Sequence, residues 1–273
     1  MKNYGVILGQ RDNDYVGGTL PYIEENPLGD WTPYLPLGEW QRIDNVDLMA
    51  CVTFSALNVL ETLYYFKTGV RRNFSDRFTA KMSNTTPQGN YLYLVADSIR
   101  KDGLVDETDW PAPDDTTWDS YYLDIPQVVK DVAKDFLKDW MIQYEFIDVT
   151  RESLLKHIKQ SPIQVVIPGH AIMNFFTNDD IYKYFDSYEP FIKERTDGFI
   201  TALKYVMTKN MTINEQELAL LYKTVFGRDP DVDAFGYAGQ NLAFVLGEFQ
   251  KSPEWKAKAQ VLQVLDSEFN VKV

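Results

Sequence analysis

The stretch DLMACVTFSALNVLETLYYFK, residues 47–67, decides the fold class. At 3.6 residues per turn its apolar side chains (Leu48, Met49, Val52, Phe54, Leu57, Val59, Leu60, Leu63, Tyr64 and Phe66) fall on nearly every side of the axis. A surface helix keeps a continuous polar face, so this pattern predicts a helix buried in the centre of a domain. Gly69 stands where its stop is expected. The only cysteine of the chain, Cys51, lies near the start of this helix. Unpaired amide N–H groups and the helix dipole favour an anion there, which suits a nucleophilic thiolate of depressed pKa. The competing reading is a small, inert core residue.

Working outward, residues 1–45 are rich in Pro, Gly, Asp and Trp and show no sustained period, so they read as an extended, wrapping segment. Downstream, helices are predicted over 75–81, 91–101 and 126–140, with 104–113 extended between them. Ile142, Tyr144 and Phe146 alternate as a strand does, and Thr150 opens an amphipathic helix running to Lys159. Strands follow at 163–167, 170–175, 181–185 and 200–206, with a turn at 177–180. Helices first and strands second predict an α+β domain. At Thr212 the pattern resets: Thr212-Ile-Asn-Glu215 is a capping box, and Ser252-Pro253-Glu254 opens another helix. The expected division is residues 1–210 as the main domain and 211–273 as a small helical one.

The chain has 273 residues, 45% of them hydrophobic and 14% aromatic, enough for a sizeable core. A formal net charge of −13 with no Lys/Arg stripe argues against nucleic acid as a partner. No stretch has the length of a membrane span, so no membrane insertion is expected. One cysteine allows no internal disulfide, and a reducing compartment suits the chain. Residues 1–10 lack a signal-peptide core, so the expected location is the cytoplasm or a phage particle. No cofactor is implied. Asp229, Asp231 and Asp233 hint at a calcium loop, but Pro230, Ala234 and Gln240 break its pattern, and a turn with a helix cap is the better reading.

Two histidines can serve the cysteine as a base. His157 falls among lysines on the polar side of a helix and reads as solvated, whereas His170 follows Pro168-Gly169 and opens an apolar strand. The surroundings of Cys51 and His170 resemble the papain-like cysteine peptidase family at several separated places. Cys51-Val-Thr-Phe-Ser-Ala is similar to that family's Cys-Trp-Ala-Phe-Ser segment, and Phe74-Ser-Asp-Arg-Phe to its Leu-Ser-Glu-Gln helix start. Ile99-Arg-Lys-Asp-Gly-Leu-Val-Asp-Glu-Thr-Asp-Trp-Pro-Ala-Pro resembles its Gly-(Ile/Val)-x-x-Glu-x-x-Tyr-Pro-Tyr segment. Ser161-Pro-Ile-Gln-Val-Val-Ile resembles its Gly-Pro-Val-x-Val strand, and His170-Ala-Ile its His-Ala-Val strand. Asp186-Ser-Tyr stands where the family has Asn-Ser-Trp. The order is kept over about residues 40–207.

The resemblance implies a papain-like fold, with a helical half carrying the cysteine and an antiparallel β half carrying the histidine. It implies Cys51 as nucleophile, His170 as base and Asp186 as the group orienting the base. The family's oxyanion glutamine, six residues before the cysteine, is replaced by Asn45, with Gln41 the other candidate. The substrate ledge has at best Gln88-Gly89-Asn90, and Tyr188 stands for the tryptophan covering the asparagine. The segment Leu220-Leu-Tyr-Lys-Thr-Val-Phe-Gly-Arg-Asp-Pro-Asp, with Phe249-Gln-Lys-Ser-Pro-Glu-Trp, resembles a small helical domain of bacterial surface and phage-related proteins. That domain is a possible surface for a protein partner. The implied activity is hydrolysis of a peptide, protein or peptidoglycan amide; the alternative is a non-catalytic structural or assembly protein of a phage particle.

Overall fold

The computed structural model describes residues 3–10, 20, 23–43, 45–210, 215–230 and 245. The central helix is present as α1, Cys51–Thr68. It begins at the cysteine and not at Asp47, because Val46–Asp47 (β2) folds back on Arg42–Ile43 (β1) as an antiparallel hairpin. Met49, in left-handed backbone at φ 52°, then turns the chain into the helix. Every residue from Cys51 to Leu63 is buried, which is the physical meaning of the all-round apolar pattern. Gly69 ends α1 in left-handed conformation, its N–H donating to the Tyr65 carbonyl.

Helices α2 (Asp76–Met82) and α3 (Leu92–Asp102) pack beside α1. Ser75 caps α2 by accepting from the Phe78 N–H. After the short α4 (Trp118–Tyr121), α5 (Gln127–Asp139) packs on α3 and runs without a loop into strand β3 (Trp140–Ile147). Thr150 caps α6 (Arg151–His157).

The rest of this unit is a six-stranded sheet built with β4 (Ile163–Ile167), β5 (His170–Thr177), β6 (Tyr182–Phe185), β7 (Ile192–Arg195) and β8 (Thr201–Lys209). Its order is β3-β8-β4-β5-β6-β7, and the β8–β4, β4–β5, β5–β6 and β6–β7 pairs are antiparallel. Pro168-Gly169 makes a tight turn that pairs Ile167 with His170, so the histidine is the first residue of β5. α1 and α6 both pack on β5, and the strand is accordingly buried almost throughout. The helical half and the sheet half thus meet where α1 lies on β5, which sets the start of the helix beside the start of the strand.

The architecture is α+β, as the order of elements in the sequence predicts. The β1–β2 hairpin, the single 3-10 turn Thr32–Tyr34, the short helix α4 and the edge strand β7 are additions to the expected elements. The sheet also contains a buried ion pair, Lys204 Nζ to Glu145 Oε1 at 2.6 Å, with Lys204 also donating to Gln160.

Chain contacts divide the protein into units Met1–Thr208 and Lys209–Val273. In the second, the helix α7 (Glu215–Phe226) is described. The first three residues of the Thr212 capping box, the helix expected from Ser252, and Asp231 and Asp233 of the calcium-loop pattern lie outside the described residues.

Candidate active site

Cys51 opens α1 and is fully buried. Its Sγ accepts the Ala171 N–H at 3.4 Å, so the sulfur lies against the residue following His170. His170 is 4% exposed. Its Nε2 bonds to Asp186 Oδ1 at 2.7 Å, while Nδ1 is buried and has no hydrogen-bond partner. A buried, unpartnered ring nitrogen costs free energy unless it has a task. Asp186 follows directly after β6, and its N–H donates to the Phe191 carbonyl at 2.8 Å. Its second oxygen, Oδ2, accepts from Lys193 Nζ at 2.7 Å. Burial alone would raise the Asp186 pKa, but the bonds and charges of His170 and Lys193 outweigh it and hold the carboxyl below its ordinary range.

The structure places Asn45 elsewhere. It is exposed at the turn of the β1–β2 hairpin, in left-handed backbone at φ 66°. The buried amide of this region is Gln41, fully inaccessible to solvent. Its Oε1 accepts from Ser187 Oγ at 3.0 Å, and its Nε2 donates to the Tyr4 carbonyl at 2.7 Å and to Asp47 Oδ1 at 3.0 Å. The backbone holds Gln41 from both sides, through its N–H to the Ser187 carbonyl and its carbonyl from the Leu48 N–H. Tyr188 packs against His170 with ring centroids 5.6 Å apart, and its hydroxyl donates to Asp47 Oδ2 at 2.9 Å.

Within the N-terminal segment expected to wrap the domain, Tyr4–Ile7 lies along the site. Tyr4 donates its N–H to the Gly169 carbonyl at 2.8 Å and lays its ring 5.0 Å from that of His170. Gly5 and Ile7 exchange backbone bonds with Asn90, the predicted ledge, at 2.9 and 2.8 Å. Gly5 has φ 114°, and a Cβ there would stand 2.0 Å from the Met49 carbonyl oxygen. Only glycine fits that passage. This extended segment is therefore hydrogen-bonded to both walls of the site.

Closure explains a departure from the expected thiolate. Burial pushes the Cys51 thiol up to about 12; the Ala171 N–H opposes the rise, and the carboxylates of Asp47 and Asp186 add to it. In this state the site holds a thiol.

His157 also differs from its expected solvated setting. It is half-buried, with Nδ1 bonded to Gln160 Oε1 at 2.8 Å, and lines a separate cavity of about 410 Å³ with Glu145 and Lys204. Burial lowers its pKa. Its bonding to Gln160 and its place in that cavity tie it to a different part of the sheet from Cys51.

The fold is that of the papain-like cysteine proteases. Xylellain, a cysteine protease from Xylella fastidiosa, aligns with TM-score 0.54 at 14% identity over 76% of this chain and 95% of that one. Digestive procathepsin L 3 of the Tenebrio molitor larval midgut aligns with TM-score 0.51 at 14% identity over 75% of this chain and 76% of that one. Recombinant stem bromelain precursor gives 0.50 at 14% identity, over 70% and 76%. No protein-family model and no curated sequence matches the chain.

Proposed function

We propose that this protein hydrolyses peptide or amide bonds through a Cys51–His170–Asp186 triad. The observation that carries the proposal is the state of His170: Nε2 is bound by Asp186, and Nδ1, buried and unpartnered, is left for the thiol whose sulfur touches the next residue. His170 takes the Cys51 proton on Nδ1, and the thiolate attacks the scissile carbonyl carbon. Gln41 Nε2 donates to the oxyanion of the tetrahedral adduct. Of its two present acceptors, the Tyr4 carbonyl is the one a substrate carbonyl would replace, Asp47 keeping the other N–H. The imidazolium then protonates the leaving amine and an acyl-thioester remains. With His170 as base, water attacks the thioester, releasing the acid and restoring the thiol. Asp186 accepts the Nε2–H throughout and fixes the tautomer.

Substrates with an extended backbone suit the cleft, since Tyr4–Ile7 already lies there by backbone bonds. Proteins, peptides and peptidoglycan cross-links share that chemistry. Full burial of Cys51 favours a second function, a non-catalytic assembly protein that keeps the fold. Incubation with an unfolded protein substrate separates the two. Cleavage that disappears in Cys51→Ala supports the hydrolase; cleavage that survives this change removes Cys51 from the chemistry.

A further inference from the structure

We infer that Lys193 is a positioning residue of this site, holding the Asp186 carboxylate in the one orientation that fixes the His170 ring. This rests on the hydrolase function proposed above.

The register of the sheet puts the two side chains together. β6 and β7 pair Phe185 with Ile192 and Tyr184 with Lys193, and the Asp186 N–H continues the ladder to Phe191. Asp186 and Lys193 are therefore diagonal neighbours on one face, within reach of a long side chain. Lys193 Nζ meets Oδ2 at 2.7 Å, while Oδ1 meets His170 at 2.7 Å. A carboxylate held at a single oxygen turns freely about its terminal torsion; held at both, it presents Oδ1 in one direction. The Asp186 side chain is 7% exposed and that of Lys193 25%, so the pair is screened less than a surface ion pair.

The ammonium on the far oxygen also offsets the charge of the carboxylate that faces the ring. Around the pair stand Cys51 from α1, Tyr4 from the N-terminal segment, Tyr184 from β6 and Tyr188 beyond it, with Arg195 further along β7 acting on Tyr184. Lysine on an edge strand also blocks strand pairing by other chains, and that role alone does not involve the His170 ring.

The test follows the His170 ring N–H by NMR at one fixed pH in the full chain labelled at histidine, with His157→Gln assigning the second ring. Lys193→Met removes the cation and keeps the length of the side chain; Lys193→Gln serves if the methionine variant does not fold. The expected result is an Nε2–H that exchanges with water at least about tenfold faster in the neutral variant than in wild type, because the carboxylate that holds it is no longer fixed. Lys193→Arg should keep the slow exchange. Equal exchange in wild type and neutral variant overturns the inference, as does an arginine variant that exchanges as fast as the neutral one. Failure of the hydrolase function shows separately, as cleavage that survives Cys51→Ala.

Discussion

At the scale of single residues, the amide near the nucleophile shows how far spacing alone can be trusted. Counting six residues back from Cys51 reaches Asn45, but the β1–β2 hairpin reverses the chain there and leaves Asn45 at its exposed tip. Asparagine tolerates left-handed backbone, which suits that turn. The same reversal brings Gln41 beside Asp47 and Leu48, buried and clamped by Ser187. In the proposed mechanism Gln41→Ala removes one oxyanion donor. The expected loss in kcat is about 10²- to 10³-fold, whereas Asn45→Ala should leave turnover unchanged. Steady-state kinetics on an amide substrate measures both, and equal losses would return the role to neither residue. In the sequence Cys51 stands out as a lone cysteine at a helix start, His170 as a histidine opening an apolar strand, and Asp186 only through the resemblance of Asp186-Ser-Tyr to the family's Asn-Ser-Trp; the structure brings the three together. Lys193 was not, since one lysine in Ile192-Lys-Glu-Arg195 is ordinary and only the β6–β7 register gives it a partner.

At the scale of elements, those with a clear apolar period were readable, whether buried like α1 or amphipathic like α5 and α6, and the short edge pieces were not. α1, β4 and β5 declare themselves because burial on several sides demands mostly apolar residues all round. β7 alternates between exposed and half-buried positions at the sheet edge, so no hydrophobic signal marks it. The docking of Tyr4–Ile7 was invisible for a different reason: backbone bonds do most of the holding, and backbone bonds leave no signature in side chains. The junction of α1 with α2 carries a further consequence. Glu61 on α1 and Asp76 at the start of α2 are both buried, and burial raises both well above the carboxylate range, with Glu39 and Glu107 adding to it. Burial likewise raises the pKa of Glu107 from 4.5 to about 7, against the opposing Ala112 N–H. An acid whose folded-state pKa is raised resists ionisation in the native state, so the unfolded chain binds fewer protons between the two pKa values. Stability is therefore expected to fall as pH rises from about 4.5 to about 7. The Glu107 share is roughly 2 kcal/mol after allowance for its partial exposure. Denaturant titrations at pH 5 and pH 7.5 measure it. Glu107→Gln should flatten the fall, and an unchanged slope in that variant would assign the pH dependence elsewhere in the cluster.

At the scale of the whole molecule, the helical half supplies the thiol and the sheet half supplies the imidazole and its carboxylate. The chain's own Tyr4–Ile7 lies hydrogen-bonded along the seam. The formal charge of −13 adds a negative field that disfavours acidic substrates and polyanions. In the proposed mechanism the N-terminal segment must leave for substrate to enter, and Gly5 is its weakest point, because any side chain there collides with the Met49 carbonyl. Gly5→Val should therefore open the site without touching a residue of the triad. The decisive measurement is covalent labelling by a peptide epoxide, followed by mass spectrometry, in wild type, in Gly5→Val and in Gly5→Val combined with His170→Ala. A working triad gives one adduct on Cys51, formed at least about tenfold faster in Gly5→Val than in wild type and lost when His170 is removed. An opened protein that labels no faster than the His170→Ala combination would show that the histidine does not activate the thiol, and the papain-like fold would then be carried without its chemistry.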